Sequence, residues 1–344
     1  MRVRLTTMAT LLATAAISAQ PRAANSTLTA VPGIAVGHYT LSERPTGCTV
    51  IIVERGAAAG VDVRGAAPAT SETDLLTPEK MVQAIYGISL SGGSTFGLES
   101  RGGVLKYLEE KKIGILYGGM HIPIVPAAAI FDLPVGDARI RPGADCGYRA
   151  ALAATTNPVQ EGSVGAGAGA TLGKYLGMSR AMRSGVGSAA ITTSDGTIVA
   201  ALVVANPLGD VIDPSTGKTV AGVRKEQGGG FEDVRTLIRS GAARPAPGGG
   251  NTTLGVVATN ATLNKAQASL LAQLAGDGVV RAVWPIHTVA DGATVVALAT
   301  GTKPGDPDMI RLGALAADVM ATAVVRAATQ ATGLPNLPAV RDLR

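Results

Sequence analysis

The feature that most constrains this chain is residues 248–260, where three glycines and an Asn-Thr pair lead straight into an apolar, β-branched run. Such a run favours a buried strand, and glycine backbones can hold the φ and ψ values that a strained peptide needs. A hydroxyl that follows a strained bond can attack the preceding carbonyl and turn the amide into an ester, which water then splits. A cut between Asn251 and Thr252 would free an N-terminal amine that can activate the Thr252 hydroxyl as a nucleophile. A plain glycine-rich turn into a strand requires the same residues.

Length and composition indicate an ordinary globular protein. The 344 residues suffice for a sizeable core, and with 45 glycines and only ten aromatics (six Tyr, three Phe and one Trp) that core must be built from Ala, Val, Leu and Ile. The net charge of +5 is mild, and the sequence has no Lys/Arg run with interleaved aromatics. We therefore expect no nucleic-acid partner.

The first 24 residues have the pattern of a secretory signal peptide. A basic start at residues 1–4 is followed by an apolar run at 5–19 and small residues up to Ala24. The run is too short for a membrane span. We expect residues 1–24 to be removed on export to a periplasm or the exterior, residues 25–344 to form a single domain, and no membrane anchor. An apolar N-terminal helix is the alternative.

The cysteine and histidine content indicates no metal site. Cys48 and Cys146 are far apart in sequence, and the histidines are His38, His121 and His287. These spacings match neither a cysteine-based zinc site nor an HExxH pair. An oxidising compartment would permit a disulfide between the two cysteines, which the sequence leaves open. We expect neither a metal nor another cofactor.

Strands and helices are predicted in mixed order. Strands are expected at residues 47–54, 58–64, 188–193, 197–205, 279–284 and 294–300, with a Ser-Asp-Gly turn joining the third to the fourth. Helices are expected from Thr77-Pro78, after Gly97, from an N-cap at Asn264 with a capping box to Gln267, and over residues 308–328. Residues 210–250 are predicted to be weakly structured, with one short helical patch near residues 231–238. This order favours an α/β sandwich, two sheets between helix layers, over a doubly wound sheet.

Three local motifs fail on spacing. The glycines at residues 165–173 lack the phase, the preceding strand and the following acid of a dinucleotide site. Residues 214–218 resemble the end of a P-loop without its leading glycine. Ser94 is followed two residues later by Phe96, where a nucleophile elbow needs glycine. A Ser-His-Asp triad that includes His287 stays open.

Several sequence words together resemble the L-aminopeptidase/D-esterase family of N-terminal-nucleophile hydrolases, which also contains β-peptidyl aminopeptidases and 6-aminohexanoate-oligomer (nylon-oligomer) hydrolases. The words cover roughly residues 30–328 in the family's order. They are PTGCTV at 45–50, AGVDVRGAAP at 59–68, ETDLL at 72–76, SGGS at 91–94, IVPAAAIFDL at 124–133, GAGAGATLGK at 165–174, VVANPLGD at 203–210, NTTLGVVATN at 251–260 and HTVAD at 287–291.

The resemblance implies a four-layer αββα sandwich that cuts itself between Asn251 and Thr252 into chains 25–251 and 252–344. Thr252 would be the nucleophile and its freed amine the base. Asn206 would donate its amide to the oxyanion. Lys174 and Asp291 hold the places of the lysine and aspartate that orient the nucleophile in the nylon-oligomer branch. The resemblance implies no cofactor. It implies a homo-oligomer, which is usually a tetramer.

Two departures from the family pattern bear on the substrate. Ala293 stands where the nylon-oligomer branch has a second acid, so Asp291 must serve alone. Residues 127–131 lack the acid and the tyrosine of the β-aminopeptidase branch, which favours amides or esters with a long apolar acyl part. Phe131 and Ser94 are assigned to the substrate pocket. The alternatives are an aminopeptidase or esterase for small peptides, an acyltransferase, and an inactive binding protein on the same fold.

Overall fold

Two β-sheets packed face to face form the centre of the protein, in a computed structural model that describes residues 25–227, 229–241 and 250–343. The predicted signal peptide, and Gly248 and Gly249, lie outside these residues. The strands are β1 (Ala35–Thr40), β2 (Gly47–Gly65), β3 (Thr70–Ser71), β4 (Ile85–Ser91), β5 (Ile115–Tyr117), β6 (Met120–Ile122), β7 (Ala127–Ala129), β8 (Thr171–Leu172), β9 (Met182–Arg183), β10 (Val186–Thr192), β11 (Ile198–Asn206), β12 (Asp210–Asp213), β13 (Lys218–Ala221), β14 (Asn251–Ala261), β15 (Val283–Trp284) and β16 (Asp291–Lys303). The helices are α1 (Ser100–Glu110), α2 (Ala144–Leu152), α3 (Val234–Ser240), α4 (Lys265–Ala282) and α5 (Met309–Thr329).

The long strand β2 belongs to both sheets. Its first half pairs with β1 and β4, and β4 continues through β7 to β3. Its second half pairs with β16, from which the second sheet continues through β14 and β11 to β10. The register with β4 shifts between Ile52 and Ala57, where the strand passes from one sheet to the other. The separate strands predicted at 47–54 and 58–64 are therefore one strand.

Three hydrophobic cores separate four layers. The middle core fills the space between the sheets, with Ile51, Ile88, Leu202, Leu254 and Val256 among its members. A second core lies between the second sheet and helices α4 and α5, and a third between the first sheet and helices α1 and α2. The predicted four-layer αββα sandwich is confirmed.

Several predicted elements are confirmed. The hairpin of β10 and β11 turns at Ser194-Asp195-Gly196. Helix α4 begins with the capping box in which the Asn264 side chain accepts from the Gln267 backbone N–H. Helix α5 spans the predicted range, and Ile310 near its start is 89% exposed.

Two element predictions are wrong, because tertiary pairing overrides local pattern. No helix starts at Thr77-Pro78: residues 77–80 form a turn, and the apolar run from Ile85 is strand β4 between β2 and β7. Residues 279–282 continue helix α4, and only Val283–Trp284 form a strand. Within 210–250, helix α3 lies where the short helical patch is predicted, and the hairpin β12–β13 is an additional element that the sequence did not indicate.

Helix α5 is apolar and largely buried, and a disulfide joins an outer helix to the first sheet. Among the described residues, α5 is the one helix that is long and apolar enough to cross a membrane by length and composition, and 61% of its apolar window is buried inside the sandwich. Cys48 of β2 and Cys146 of α2 form a disulfide with a Cα–Cα distance of 5.9 Å. This bond ties an outer helix to the first sheet.

Candidate active site

Thr252 is the second residue of β14, in the middle of the second sheet. It pairs with Asn206 of β11 on one side and with Gly292 of β16 on the other. Residues opposite each other in a ladder point to the same face, so the Thr252 and Asn206 side chains share the face that Leu254 and Val256 fill further along the strand. Thr252 is only 3% exposed. Its hydroxyl thus lies at one end of the core between the sheets.

The Asn206 amide is held on both of its ends. Its Oδ1 accepts from the Thr171 backbone N–H at 2.9 Å and from Lys174 Nζ at 3.0 Å. Its Nδ2 donates to the Phe131 carbonyl at 3.1 Å and to the Gly250 carbonyl at 3.3 Å. Because Thr171 N–H and the ammonium group can only donate, the oxygen must face them and the NH₂ must face Gly250.

Lys174 is buried in the same cluster. Its Nζ donates to the Asn206 backbone carbonyl at 3.1 Å and to the Gly250 carbonyl at 3.5 Å, in addition to the Asn206 amide oxygen. Burial lowers the pKa of Lys174 to about 7, and the negative charges of Asp291 and Asp132 oppose that shift. The Lys174 amine therefore loses its proton more readily than the amine of a solvent-exposed lysine.

A tight backbone contact aims Lys174 at this cluster. Gly173, which precedes it, has φ +65°, and a Cβ there would lie 2.4 Å from the Gly222 carbonyl carbon. The Gly173 and Lys174 N–H groups donate to the carbonyls of Gly209 and Leu208, just beyond Asn206. Glycine is required here both for its conformation and for its size, so the glycine-rich loop positions a side chain.

Asp291 is the first residue of β16 and is fully buried. Its Oδ2 accepts from the Thr288 hydroxyl at 2.7 Å, and its Oδ1 accepts from the Leu208 backbone N–H at 3.3 Å. It pairs with Asn251 in the parallel ladder, and Asn251 Nδ2 donates to the Ala290 carbonyl at 3.0 Å. The aspartate loop and the Asn251–Thr252 bond are thereby fixed to each other.

Ala293 lies outside this cluster. It pairs with Thr253, one residue beyond Thr252, and is buried. Side chains alternate across a strand, so its methyl group is on the opposite face of the sheet from the Thr252 side chain. The position at which the nylon-oligomer branch has a second acid therefore does not face the hydroxyl of residue 252.

A cleft opens beside Lys174 and the Gly250 carbonyl. Its lining includes Phe131 but not Ser94, whose backbone N–H donates to the Ile130 carbonyl. A more open, mostly apolar pocket shares part of this lining. The residues common to both are Pro134, Val135 and Met178.

Asp132 is a buried residue to which the sequence motifs assigned no role. Its carboxylate pairs with Arg44 at 2.8 Å and accepts from the Thr46 hydroxyl at 2.6 Å and the Gly93 N–H at 2.8 Å. Thr46, Gly93 and Asp132 each belong to a different word of the resemblance. These three motifs are far apart in sequence and meet at one buried charge. Their joint presence in the family pattern is the sequence signal that could have indicated Asp132. Asp132 anchors the segment that carries Phe131.

Comparisons with known proteins identify the family of this chain. The sequence profile of peptidase family S58 matches residues 26–337. The chain belongs to peptidase family S58. This family membership makes it a hydrolase of peptide or amide bonds, as the sequence predicts.

Two relatives in sequence and one solved structure are similar to this chain. An uncharacterized aminopeptidase of Mycobacterium leprae is 36% identical over 351 residues, covering 91% of this chain and 92% of the relative. A 6-aminohexanoate-oligomer endohydrolase of Kocuria sp. is 30% identical over 310 residues, covering 86% and 84%. The L-aminopeptidase D-Ala-esterase/amidase of Ochrobactrum anthropi, described as a variant of the Ntn hydrolase fold, aligns with a TM-score of 0.66 at 18% identity, covering 91% and 89%. The last likeness shows the fold alone.

Proposed function

We propose that this S58 protein cuts itself between Asn251 and Thr252, and that Thr252 then hydrolyses small amides through an acyl-enzyme. One observation carries the proposal. The Asn206 amide and the Lys174 amine meet at the Gly250 carbonyl, one peptide unit before the bond to be cut. Acyl transfer requires hydrogen-bond donors near the carbonyl that is attacked, and these donors lie one peptide unit from the Asn251 carbonyl.

The first step would be an N-to-O acyl shift. The Thr252 hydroxyl oxygen attacks the Asn251 carbonyl carbon, the bond from that carbon to the Thr252 nitrogen breaks, and the nitrogen takes the proton. Water hydrolyses the resulting ester and leaves an Asn251 carboxylate and a free Thr252 amine. Thr252 has no free amine before the cut, so another base must take its proton. Lys174, with its pKa lowered to about 7, is the base we assign to this step.

Turnover would then use the amine that the cut releases. It takes the hydroxyl proton as Thr252 attacks the substrate carbonyl and gives a proton to the leaving amine, so that an ester remains on Thr252. Asn206 donates to the oxyanion, and water releases the acid. The Kocuria relative is named for hydrolysis of 6-aminohexanoate oligomers and the mycobacterial relatives as aminopeptidases, which supports small amides or peptides as substrates.

Export and self-association complete the proposal. The Cys48–Cys146 disulfide suits an oxidising compartment and so supports removal of residues 1–24 on secretion. The hairpin β5–β6 leaves Leu116, Tyr117 and Met120 exposed by 65%, 71% and 63%. Exposed apolar clusters of this kind are typical of interfaces, which supports a homo-oligomer, for which we propose a tetramer.

Denaturing electrophoresis with N-terminal sequencing tests the proposed function. The purified protein should give two bands, and the smaller should begin Thr-Thr-Leu-Gly and contain 344 − 251 = 93 residues. A single full-length band from protein that turns over amides would refute self-cleavage as the activating step.

A further inference from the structure

The side chain of Asn251 is tied to the backbone of the loop that precedes β16. Its Nδ2 donates to the Ala290 carbonyl at 3.0 Å, and Asn251 pairs with Asp291 in the parallel ladder. Since a carbonyl can only accept, the amide nitrogen rather than the amide oxygen must face Ala290. Asn251 is also buried. The residue whose carbonyl Thr252 would attack is thus held by a side-chain contact as well as by its strand.

The acceptor of this hydrogen bond is itself fixed. The Ala290 N–H donates to the Thr288 hydroxyl at 3.2 Å, and the Asp291 N–H donates to the Thr288 carbonyl at 3.2 Å, so these residues form a closed turn. The Asp291 carbonyl in turn accepts from the Ala66 and Ala67 N–H groups at 2.9 and 3.0 Å. The Ala290 carbonyl therefore belongs to a turn that is bonded to the segment after β2, and it offers the amide a fixed partner.

The residues on both sides of Asn251 are anchored too. The Gly250 carbonyl accepts from Asn206 Nδ2 at 3.3 Å. Thr252 lies in the ladder between Asn206 and Gly292. The Asn251 side chain adds an anchor on the residue that carries the carbonyl to be attacked. Such attack needs the reacting atoms about 3 to 3.5 Å apart and aligned, and a misplacement of about 1 Å can cost about 10²-fold in rate.

We propose that Asn251 is a positioning residue for self-cleavage, because its side-chain amide holds the carbonyl group that Thr252 attacks. The inference rests on the proposed function. In this role the amide neither gains nor loses a proton and forms no covalent bond, since the Thr252 hydroxyl remains the attacking group. After the cut Asn251 ends the large chain, and a substrate carbonyl takes the place of its own. The hydrogen bond to the Ala290 carbonyl therefore acts mainly on the cut and less on later turnover.

The rate of cutting in Asn251 variants tests this role. Leucine has the branched shape of asparagine but no donor, so Asn251→Leu keeps the volume and leaves the Ala290 carbonyl without its partner. Uncut chain refolded at neutral pH and sampled on denaturing gels should cut about 10- to 100-fold more slowly than the wild type. Asn251→Gln retains the donor on a longer side chain and should cut faster than Asn251→Leu. In the Asn251→Leu protein that has been cut, kcat/KM should fall far less than the cutting rate.

Asn260→Leu is the matched control, because Asn260 is buried at the other end of β14 and makes the same kind of contact. Its Nδ2 donates to the Gly196 carbonyl at 2.9 Å, and its Oδ1 accepts from the Ile198 N–H at 2.9 Å. This variant should lose thermal stability but cut at close to the wild-type rate. A wild-type cutting rate in folded Asn251→Leu, or an equal loss of rate in Asn260→Leu, overturns the inference while the proposed function stands.

Two further measurements complete the test. Asn251→Ala and Asn260→Ala repeat the comparison without a bulky apolar side chain, so a leucine that prevents folding does not end it. The intact mass of the wild-type large chain separates positioning from direct attack, and a free carboxylate at Asn251 is expected. If Nδ2 itself attacked the Asn251 carbonyl carbon and displaced the Thr252 nitrogen, the chain would end in a cyclic imide, lighter by one water. The imide, with Thr252→Ala still cut, would overturn this inference and the Thr252 mechanism together.

Discussion

The hydroxyl of Thr252 is proposed to attack twice, first at Asn251 and then at each substrate. Thr252→Ala removes the attacking atom, so the chain should stay uncut and turnover should vanish. Thr252→Ser keeps the hydroxyl and should still cut, at a changed rate because serine lacks the methyl group that restricts χ1. One denaturing gel and one chromogenic amide score both variants. If Thr252→Ala still gave two chains, a residue other than Thr252 would have to be the nucleophile.

Asn206 is expected to act through its NH₂ group. Asn206→Asp retains an oxygen acceptor for Thr171 and Lys174 but loses the donor that faces Gly250. We expect a fall in kcat of about 10²–10³-fold, the usual cost of one oxyanion donor. Asn206→Ala removes the acceptor as well, so a comparison of kcat and thermal midpoint between the two variants separates the donor from the structural role. An Asp variant with wild-type kcat would contradict the assignment.

The lowered pKa of Lys174 predicts how the rate of self-cleavage depends on pH. As a base it must be neutral, and the neutral fraction rises with pH through its pKa of about 7. The rate of cutting should therefore rise about tenfold per pH unit well below 7 and level off above it. Uncut chain refolded at pH 5.5 to 8.5 and sampled on gels measures this. Lys174→Arg stays cationic throughout and should show no break near 7. A wild-type rate independent of pH would exclude Lys174 as the base.

At the scale of elements, the sequence predicted those strands and helix ends that depend mainly on interactions between neighbouring residues. The β14 run and the Asn264–Gln267 capping box follow from propensity and short-range hydrogen bonds, and both are confirmed. The helix predicted from Thr77-Pro78 is wrong, because proline is common in turns as well as at the first helical position. The apolar run that follows became β4 by pairing with β2, a contact between segments far apart in sequence. Residues 279–282 are β-branched in part but extend an established helix.

The disulfide is an element-scale feature that sequence left open and the fold decides. It joins β2 to α2 across 98 residues. In the chain-entropy model a loop of that length stabilises the folded state by about 4 to 5 kcal/mol. Cys48→Ala/Cys146→Ala should therefore lower the midpoint of urea unfolding, and dithiothreitol should have the same effect on the wild type but none on the variant. Equal midpoints for oxidised wild type and the double variant would show that the bond adds nothing to stability.

At the scale of the whole molecule, the candidate site is assembled from five separated stretches of chain. Phe131, Lys174, Asn206, Gly250 and Asp291 come from different elements and loops, and only the sandwich brings them together. No periodicity or spacing reports such distances, so the residues themselves predicted Thr252 alone, and the resemblance supplied Asn206, Lys174 and Asp291. The closeness of Gly250 to the Phe131 ring could not be predicted at all, because it depends on how two segments far apart in sequence pack together.

The proposed cut divides the molecule through the middle of a sheet. Residues 252–344 carry nearly all of β14, all of α4, β16 and α5, while β11 and β2 on either side belong to the other chain. Separation would expose four strand edges, on β14 and β16 of the small chain and on β11 and β2 of the large chain, together with the core between the second sheet and helices α4 and α5. The two chains should therefore co-elute in native size-exclusion chromatography and separate only in denaturant.

Unfolding should then show whether the chains are linked only by packing. In the cut protein, unfolding releases two chains, so its thermal midpoint should rise with protein concentration more steeply than that of the uncut Thr252→Ala variant, because mass action favours the bound state. The variant keeps the same sheets and any oligomer interface, which makes it the matched control. Differential scanning calorimetry over a hundredfold range of concentration measures both slopes. Identical slopes, or a small chain that elutes alone without denaturant, would contradict a cut at Asn251 within an intact sandwich.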